Sequence, residues 1–337
     1  MSLVFLALAL AGLCASVLVT ALAWKAGVID QPNARSAHKR PTPRAGGLGV
    51  AAGLGAGLAA ASLFPVGSAG LAPIAGIAAL FCALGLADDL VTLNEKVKFA
   101  AFISLSLAMA AVAGPVTWLA ITPEISLTLP VAAGLLGSAL FVFVTANAVN
   151  FMDGSDGMMA AVMLPASLAL SLAGLVAGAL DAALIGAALA AGLAGFSLFN
   201  LPPARVFAGD CGSLVTGAAY AGGALAMAGM GFSGSLWLAP LFVLVFLADV
   251  LLTLLRRARH GRFSLSAHRE HAYQRLIAAG WSHRRVALAY GAATCLIAVT
   301  GLGAAQGPDG AVPAVFALWT LALCGLYAGV GRLTRNL

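Results

Sequence analysis

Charge is what this sequence has least of. Of its 337 residues only 9% are Asp, Glu, Lys or Arg, whereas 61% are hydrophobic. A soluble domain carries about a quarter charged residues, so a water-facing surface is excluded for most of the chain. The five cysteines (Cys14, Cys82, Cys211, Cys295 and Cys324) are scattered and form no Cys-x-x-Cys pair. They read as small apolar packing residues, not as a disulfide or metal framework. No Gly-x-x-x-x-Gly-Lys-Ser/Thr loop occurs, which argues against ATP hydrolysis. The N-terminus has neither a basic n-region nor an evident cleavage site, so a first span is expected there, not a signal peptide.

Long apolar runs are what the chain has in abundance. A bilayer core of roughly 30 Å needs about 20 such residues per helix. Eleven runs qualify: 3–24, 46–64, 69–87, 97–113, 131–149, 158–177, 182–199, 212–230, 236–255, 286–304 and 312–330. The expected fold class is therefore all-α, a polytopic helical membrane protein of about eleven transmembrane helices in a single domain over 1–337. One short turn at Asp181 divides two of them, and a ten-span count is the main rival. With the N-terminus outside and the C-terminus inside, all 18 Lys and Arg fall on the inner side, as the positive-inside rule requires. The outer loops then hold only Glu124, Asp181 and Asp309. The net charge of +6 thus anchors an inner face and is no nucleic-acid footprint. In the outer loop 114–130, the alternation Ile125-Ser126-Leu127-Thr128-Leu129 predicts a small β-hairpin cap.

The polar residues gather in the inner loops 25–45, 88–96, 150–157, 200–211 and 256–285. Asp88 and Asp89 end the third span, where a helix C-terminus and a positive-inside boundary both favour cations. Either they are solvated loop acids, or a divalent cation or basic partner neutralises them, or one is raised in pKa for work as a base. Lys98 lies close enough in sequence to return to them. Between spans five and six, Asn147, Asn150, Asp153, Gly154, Asp156 and Gly157 offer hard oxygen ligands and room for a phosphate. The same turn suits an N-cap, with Asp156 both capping span six and presenting an oxygen. Asp210, between Gly209 and Gly212, reads equally as a cap and as part of an anion site at the start of span eight. Asp249 lies inside span nine, where an ionisable group faces a partner or snorkels to the boundary.

All five histidines are also on the inner side. Residues 266–276 predict a short helix stopped by Gly280, with His268, His271 and Arg275 on one face. Zinc is disfavoured there by the arginine neighbours, and phosphate binding fits better. Attraction to anionic headgroups accounts for the outer arginines of that loop. The first inner loop, with His38 and Arg44 followed by Gly46 and Gly47, offers further cations for phosphate. Mg²⁺ ligands, cations for developing charge and a carboxylate near the nucleophile make up the inventory for phosphoryl transfer. A site at the membrane surface implies a lipid substrate.

These segments resemble, in order and over most of the chain, the polyprenyl-phosphate N-acetylhexosamine-1-phosphate transferase superfamily of the WecA/MraY type. The matching stretches are 30–47, 85–89 with Lys98, 147–157, 209–213 and 249–276. The ending Ala267-His268-Arg269-Glu270-His271-Ala272-Tyr273-Gln274 departs from the His-rich endings of those two branches and looks more like the WbpL-type branch that starts O-antigen chains. The resemblance implies transfer of a sugar-1-phosphate from a UDP-sugar to undecaprenyl phosphate, with release of UMP, at the cytoplasmic face of the bacterial inner membrane. It implies Mg²⁺, or Mn²⁺ in its place, held by Asp210 and Asn150. Asp88 and Asp89 would act at the lipid phosphate, as base or only in positioning. Asp156 would face the uracil, with Asp153 beside it at the nucleotide, while Lys98, His268, Arg269 and His271 grip the diphosphate. A homodimer is kept open. A transporter would place its acids near the midplane, and a CDP-alcohol phosphatidyltransferase would need an Asp-Gly-x-x-Ala-Arg pattern that is absent.

Overall fold

A computed structural model describes residues 1–26, 29–30, 42–66, 69–122, 124–230, 234–261 and 270–334. The chain begins with α1 (Ser2–Ala26), followed by a two-residue antiparallel pairing of β1 (Ile29–Asp30) with β2 (Thr42–Pro43). Four helices come next: α2 (Gly47–Ala61), α3 (Leu71–Val91), α4 (Glu95–Ala113) and, after a hairpin, α5 (Val131–Met152). The hairpin pairs β3 (Trp118–Ala120) with β4 (Ser126–Thr128), Leu119 facing Leu127, where the alternating sequence predicted it. Then follow α6 (Met158–Val176), α7 (Leu180–Asn200), α8 (Gly209–Ala228), α9 (Ser235–Leu241), α10 (Leu244–Arg259), α11 (Ala272–Ala278), α12 (His283–Ala304) and α13 (Ala311–Leu333). The apolar stretches on either side of Asp181 are separate helices, α6 and α7.

Helix α8 is the centre of the molecule. Its apolar stretch is 94% buried, against 11% for the peripheral α13. Small residues make that possible, because lipid supplies no hydrophobic drive between helices and association depends on close backbone approach. A methyl group on Gly212 would stand 2.6 Å from the Cα of Gly47 in α2, and one on Gly217 equally close to the Cα of Ala146 in α5. Helices α3 and α8 meet in the same way, since a methyl on Gly85 would lie 2.4 Å from the carbonyl of Asp210. The outer helices α1 and α13 carry several of the large exposed apolar side chains, among them Leu6, Leu10, Leu321 and Leu326.

Among the described residues, nine helices are long and apolar enough to cross a membrane. The two remaining expected spans differ from their continuous sequence pattern. Helix α2 has only 15 residues, about 22 Å at 1.5 Å per residue. The ninth run is broken into α9 and α10, bent by 73°, with Pro240 lacking the N–H that a continuous helix would use.

The short inner helix begins later than predicted, at Ala272, with His271 as its N-cap in a capping box with Gln274. Gly280 stops it as expected. At φ +93° it donates to the Ile277 carbonyl while Trp281 donates to that of Leu276, the hydrogen-bond pair of a Schellman ending. Asp156 does not cap α6, because Gly157 holds the N-cap position without a side-chain bond.

Candidate active site

Four helix ends bring the inner-loop acids together. The last turn of α3 carries Asp88, whose Oδ1 accepts from the Leu93 amide at 2.8 Å. Its Oδ2 receives the ammonium of Lys98, at the start of α4, at 2.5 Å. The same ammonium donates to Oδ2 of Asp210 in the first turn of α8 at 2.6 Å. The other Asp210 oxygen accepts from the Asn150 side chain, near the end of α5, at 2.9 Å. Asn150 also donates to Ser213 at 2.8 Å. Lys98, Asp88 and Asp210 are each about a quarter exposed, at 28%, 18% and 28%, so the cluster opens on solvent at one end of the bundle.

Asp89 faces another way. Its two oxygens accept from the backbone amides of Asp210 and Cys211, each at 3.1 Å. It thus satisfies the free N–H groups at the start of α8. The anion site expected there is filled by the protein's own carboxylate. The glycines expected to leave room for phosphate are spent on contact: Gly212 lies against Gly47, and a methyl on Gly209 would meet Asp89 Oδ2 at 2.6 Å. Gly46 and Gly47 donate to the carbonyls of Phe207 and Ala208, tying the first inner loop to the same corner. The positive charge of Arg44 acts on Asp89 from that side.

The turn after α5 adds Asp153 and Asp156. Desolvation, joined by the charges of Asp210 and Asp89, raises the Asp153 carboxyl well above the usual carboxylate range. Asp156 accepts from the Ala204 amide at 3.1 Å and lies 3.9 Å from His283 Nδ1. That imidazole is also 2.8 Å from the Ser155 hydroxyl.

His271 is placed otherwise than expected, whereas Asp249 faces partners, the first of its two readings. His271 is 3% exposed, and its Nδ1 is 3.4 Å from Asp249 Oδ1. The ring is turned to a buried carboxylate where an anion grip was predicted. Asp249 does not snorkel. It accepts from the amides of Ala272 and Tyr273 at 2.8 and 3.2 Å and from the Tyr290 hydroxyl at 2.7 Å. Arg275 leaves the expected common face and donates to Thr334 at the end of α13. His38, His268 and Arg269 lie outside the described residues.

Among the described residues no three His, Cys, Asp or Glu side chains gather as a metal cage. The donor set nonetheless fits Mg²⁺, which is held by one or two carboxylates with substrate phosphates and water completing the shell. Asp210 and Asp88 supply hard oxygens around one point, and the bridging ammonium shows that point to favour a cation, while Asn150 turns its NH₂ group to the other Asp210 oxygen. Ser213 was missed in the sequence, although its spacing from Asp210 places it on the same helix face. His283 and Tyr273 were missed because their partners are 128 and 122 residues away.

Fold and site thus describe a polytopic helical membrane protein with an acid–lysine cluster at one end of its spans. Residues 71–228, from the start of α3 to the end of α8, match the model of glycosyl transferase family 4. The decaprenyl-phosphate N-acetylglucosaminephosphotransferase of Mycobacterium tuberculosis (strain H37Rv) is 31% identical over 316 residues, covering 83% of this chain and 78% of that one. A probable undecaprenyl-phosphate N-acetylglucosaminyl 1-phosphate transferase of Bacillus subtilis (strain 168) is 27% identical, over 79% and 74% of the two chains. The phospho-N-acetylmuramoyl-pentapeptide-transferase of Desulforudis audaxviator is 31% identical, but over 51% of this chain and 50% of that one. The chain belongs to the polyprenyl-phosphate sugar-1-phosphate transferase superfamily, the WecA/MraY type, within glycosyl transferase family 4.

Proposed function

We propose that this enzyme transfers a sugar-1-phosphate, an N-acetylhexosamine or a deoxy derivative, from a UDP-sugar to undecaprenyl phosphate at the cytoplasmic face of the bacterial inner membrane. UMP is released, and the lipid-linked sugar starts a surface polysaccharide such as an O-antigen or wall polymer. The observation that carries this reading is the single cluster of Asp88, Lys98, Asn150 and Asp210, all inside the segment that matches the family. Similarity at 31% identity over 83% of the chain to an N-acetylglucosamine phosphotransferase supports that donor type.

Asp210 and Asn150, with Asp88 beside them, would hold Mg²⁺. The metal would neutralise phosphate oxygens and stabilise charge in transfer. Lys98 would pair with the donor diphosphate, and Arg44, whose charge acts on Asp89, would meet the lipid phosphate. A phosphate monoester is largely ionised near neutrality, so Asp88 need only orient the attacking oxygen. Asp153 and Asp156 line the nucleotide side. His268 and Arg269 would complete the grip on the diphosphate.

Purified protein with undecaprenyl phosphate, Mg²⁺ and a panel of UDP-N-acetyl sugars should release UMP with at least one donor. EDTA should stop release and Mg²⁺ restore it. Turnover that persists in chelator would remove the metal. Silence with every donor, from folded protein, would overturn the reaction.

A further inference from the structure

Tyr273 belongs to α11, outside the segment that matches the family, and yet it reaches the acid cluster. The side chain is fully buried. Its hydroxyl donates to the Phe151 carbonyl at 3.2 Å. The same oxygen presses on Gly154, where an added methyl group would stand 2.1 Å from it. The gripped segment joins the last turn of α5, with Asn150, which binds Asp210 and Ser213, to Asp153, whose carboxyl responds to the charges of Asp210 and Asp89. Tyr273 is held in its turn: its amide and that of Ala272 donate to Asp249, and its ring stacks on His271 with 6.1 Å between centroids. Burial pushes the phenol up, so the hydroxyl remains a donor at neutral pH.

We infer that Tyr273 is a positioning residue for the transfer reaction, its hydroxyl fixing the segment that bears Asn150 and Asp153 against Asp210, with Asp249 as its anchor. The inference rests on the proposed reaction. A turn between two helix ends has few contacts of its own, and a shift of about 1 Å in a reacting group can cost a hundredfold in rate. One hydroxyl closed on both a carbonyl and a glycine removes that freedom.

Tyr273→Phe keeps the ring and deletes only the hydroxyl. It is expected to lower kcat about tenfold to a hundredfold while KM for the lipid phosphate and the melting temperature stay near wild type. Gly154→Ala should lose activity through collision with the hydroxyl. Combining it with Tyr273→Phe should recover at least about tenfold of that loss, because the nearest remaining ring carbon lies at 3.3 Å. Tyr273→Phe with unchanged kcat, no recovery in the double variant, or a Tyr273→Phe that fails to fold would overturn the positioning role. Wild-type protein that releases no UMP alongside would overturn the reaction itself, and the inference with it.

Discussion

Asp88 and Asp89 are adjacent, yet their carboxylates meet different partners because successive helical residues are turned by about 100°. Asp88 joins Lys98, whereas Asp89 holds the amides of Asp210 and Cys211. Exchange to Asn therefore has different consequences at the two positions. Asp88→Asn keeps an acceptor for Leu93 and turns an uncharged NH₂ group toward Lys98, whose ammonium retains Asp210. It should fold with an unchanged melting temperature and lose about a hundredfold or more of UMP release. Asp89→Asn leaves one helix-end amide facing an NH₂ group, so it should lose turnover and also about 1 kcal/mol of stability. Equal melting temperatures for the two variants would remove the capping role, and wild-type turnover in Asp88→Asn would remove that carboxylate from the site. The sequence made the pair conspicuous by its wrong charge at a helix C-terminus. It could not say which acid faces which partner, since that depends on how α3 meets α8 across Gly85.

Elements were legible to the extent that one span carries one apolar run. The hairpin cap, the two helices flanking Asp181 and the Gly280 stop follow from local rules of alternation, turn and left-handed backbone. The bend between α9 and α10 did not, because Pro240 inside an apolar run is compatible with either a kink or a continuous span. The glycines were misread more instructively. Gly212, beside the expected anion site, instead lets α8 touch α2 at Gly47, a methyl on Gly47 being only 2.1 Å from the Cα of Gly212. Backbone on both sides leaves nothing that can move aside. Gly47→Val should therefore give little folded protein in detergent, whereas Gly55→Ala, with no atom within 4 Å of the added methyl, should match wild type or exceed it slightly. Size-exclusion profiles and thermal melts of the two variants check this. A monodisperse, wild-type-like Gly47→Val would show that the α2–α8 contact is dispensable.

At the scale of the whole molecule, charge and connectivity bear on the same question by separate routes. The sequence puts every Lys and Arg on one side if the N-terminus is outside. The contacts tie both the end of α1 and the end of α13 to the face that carries the acid cluster. Trp24 packs on Phe199 and lies under Arg205. Thr334 accepts from Arg275 of α11, which in turn is joined to the Phe151 turn through Tyr273. Met1 precedes α1 and so lies at the far end, about 37 Å away for 25 helical residues. Termini at opposite ends require an odd number of crossings, so α2 and the bent α9–α10 pair either both span, giving eleven, or neither does, leaving the nine long helices among the described residues. The even, ten-span count would return both termini to one side. Tags at the two ends therefore discriminate: in intact cells an N-terminal tag should be reached only from outside the cytoplasmic membrane and a C-terminal tag only after permeabilisation. An N-terminal tag reached only from the cytoplasm would break the link between cation distribution and orientation. It would also place either the chain's start or the acid cluster on a side that the charges forbid.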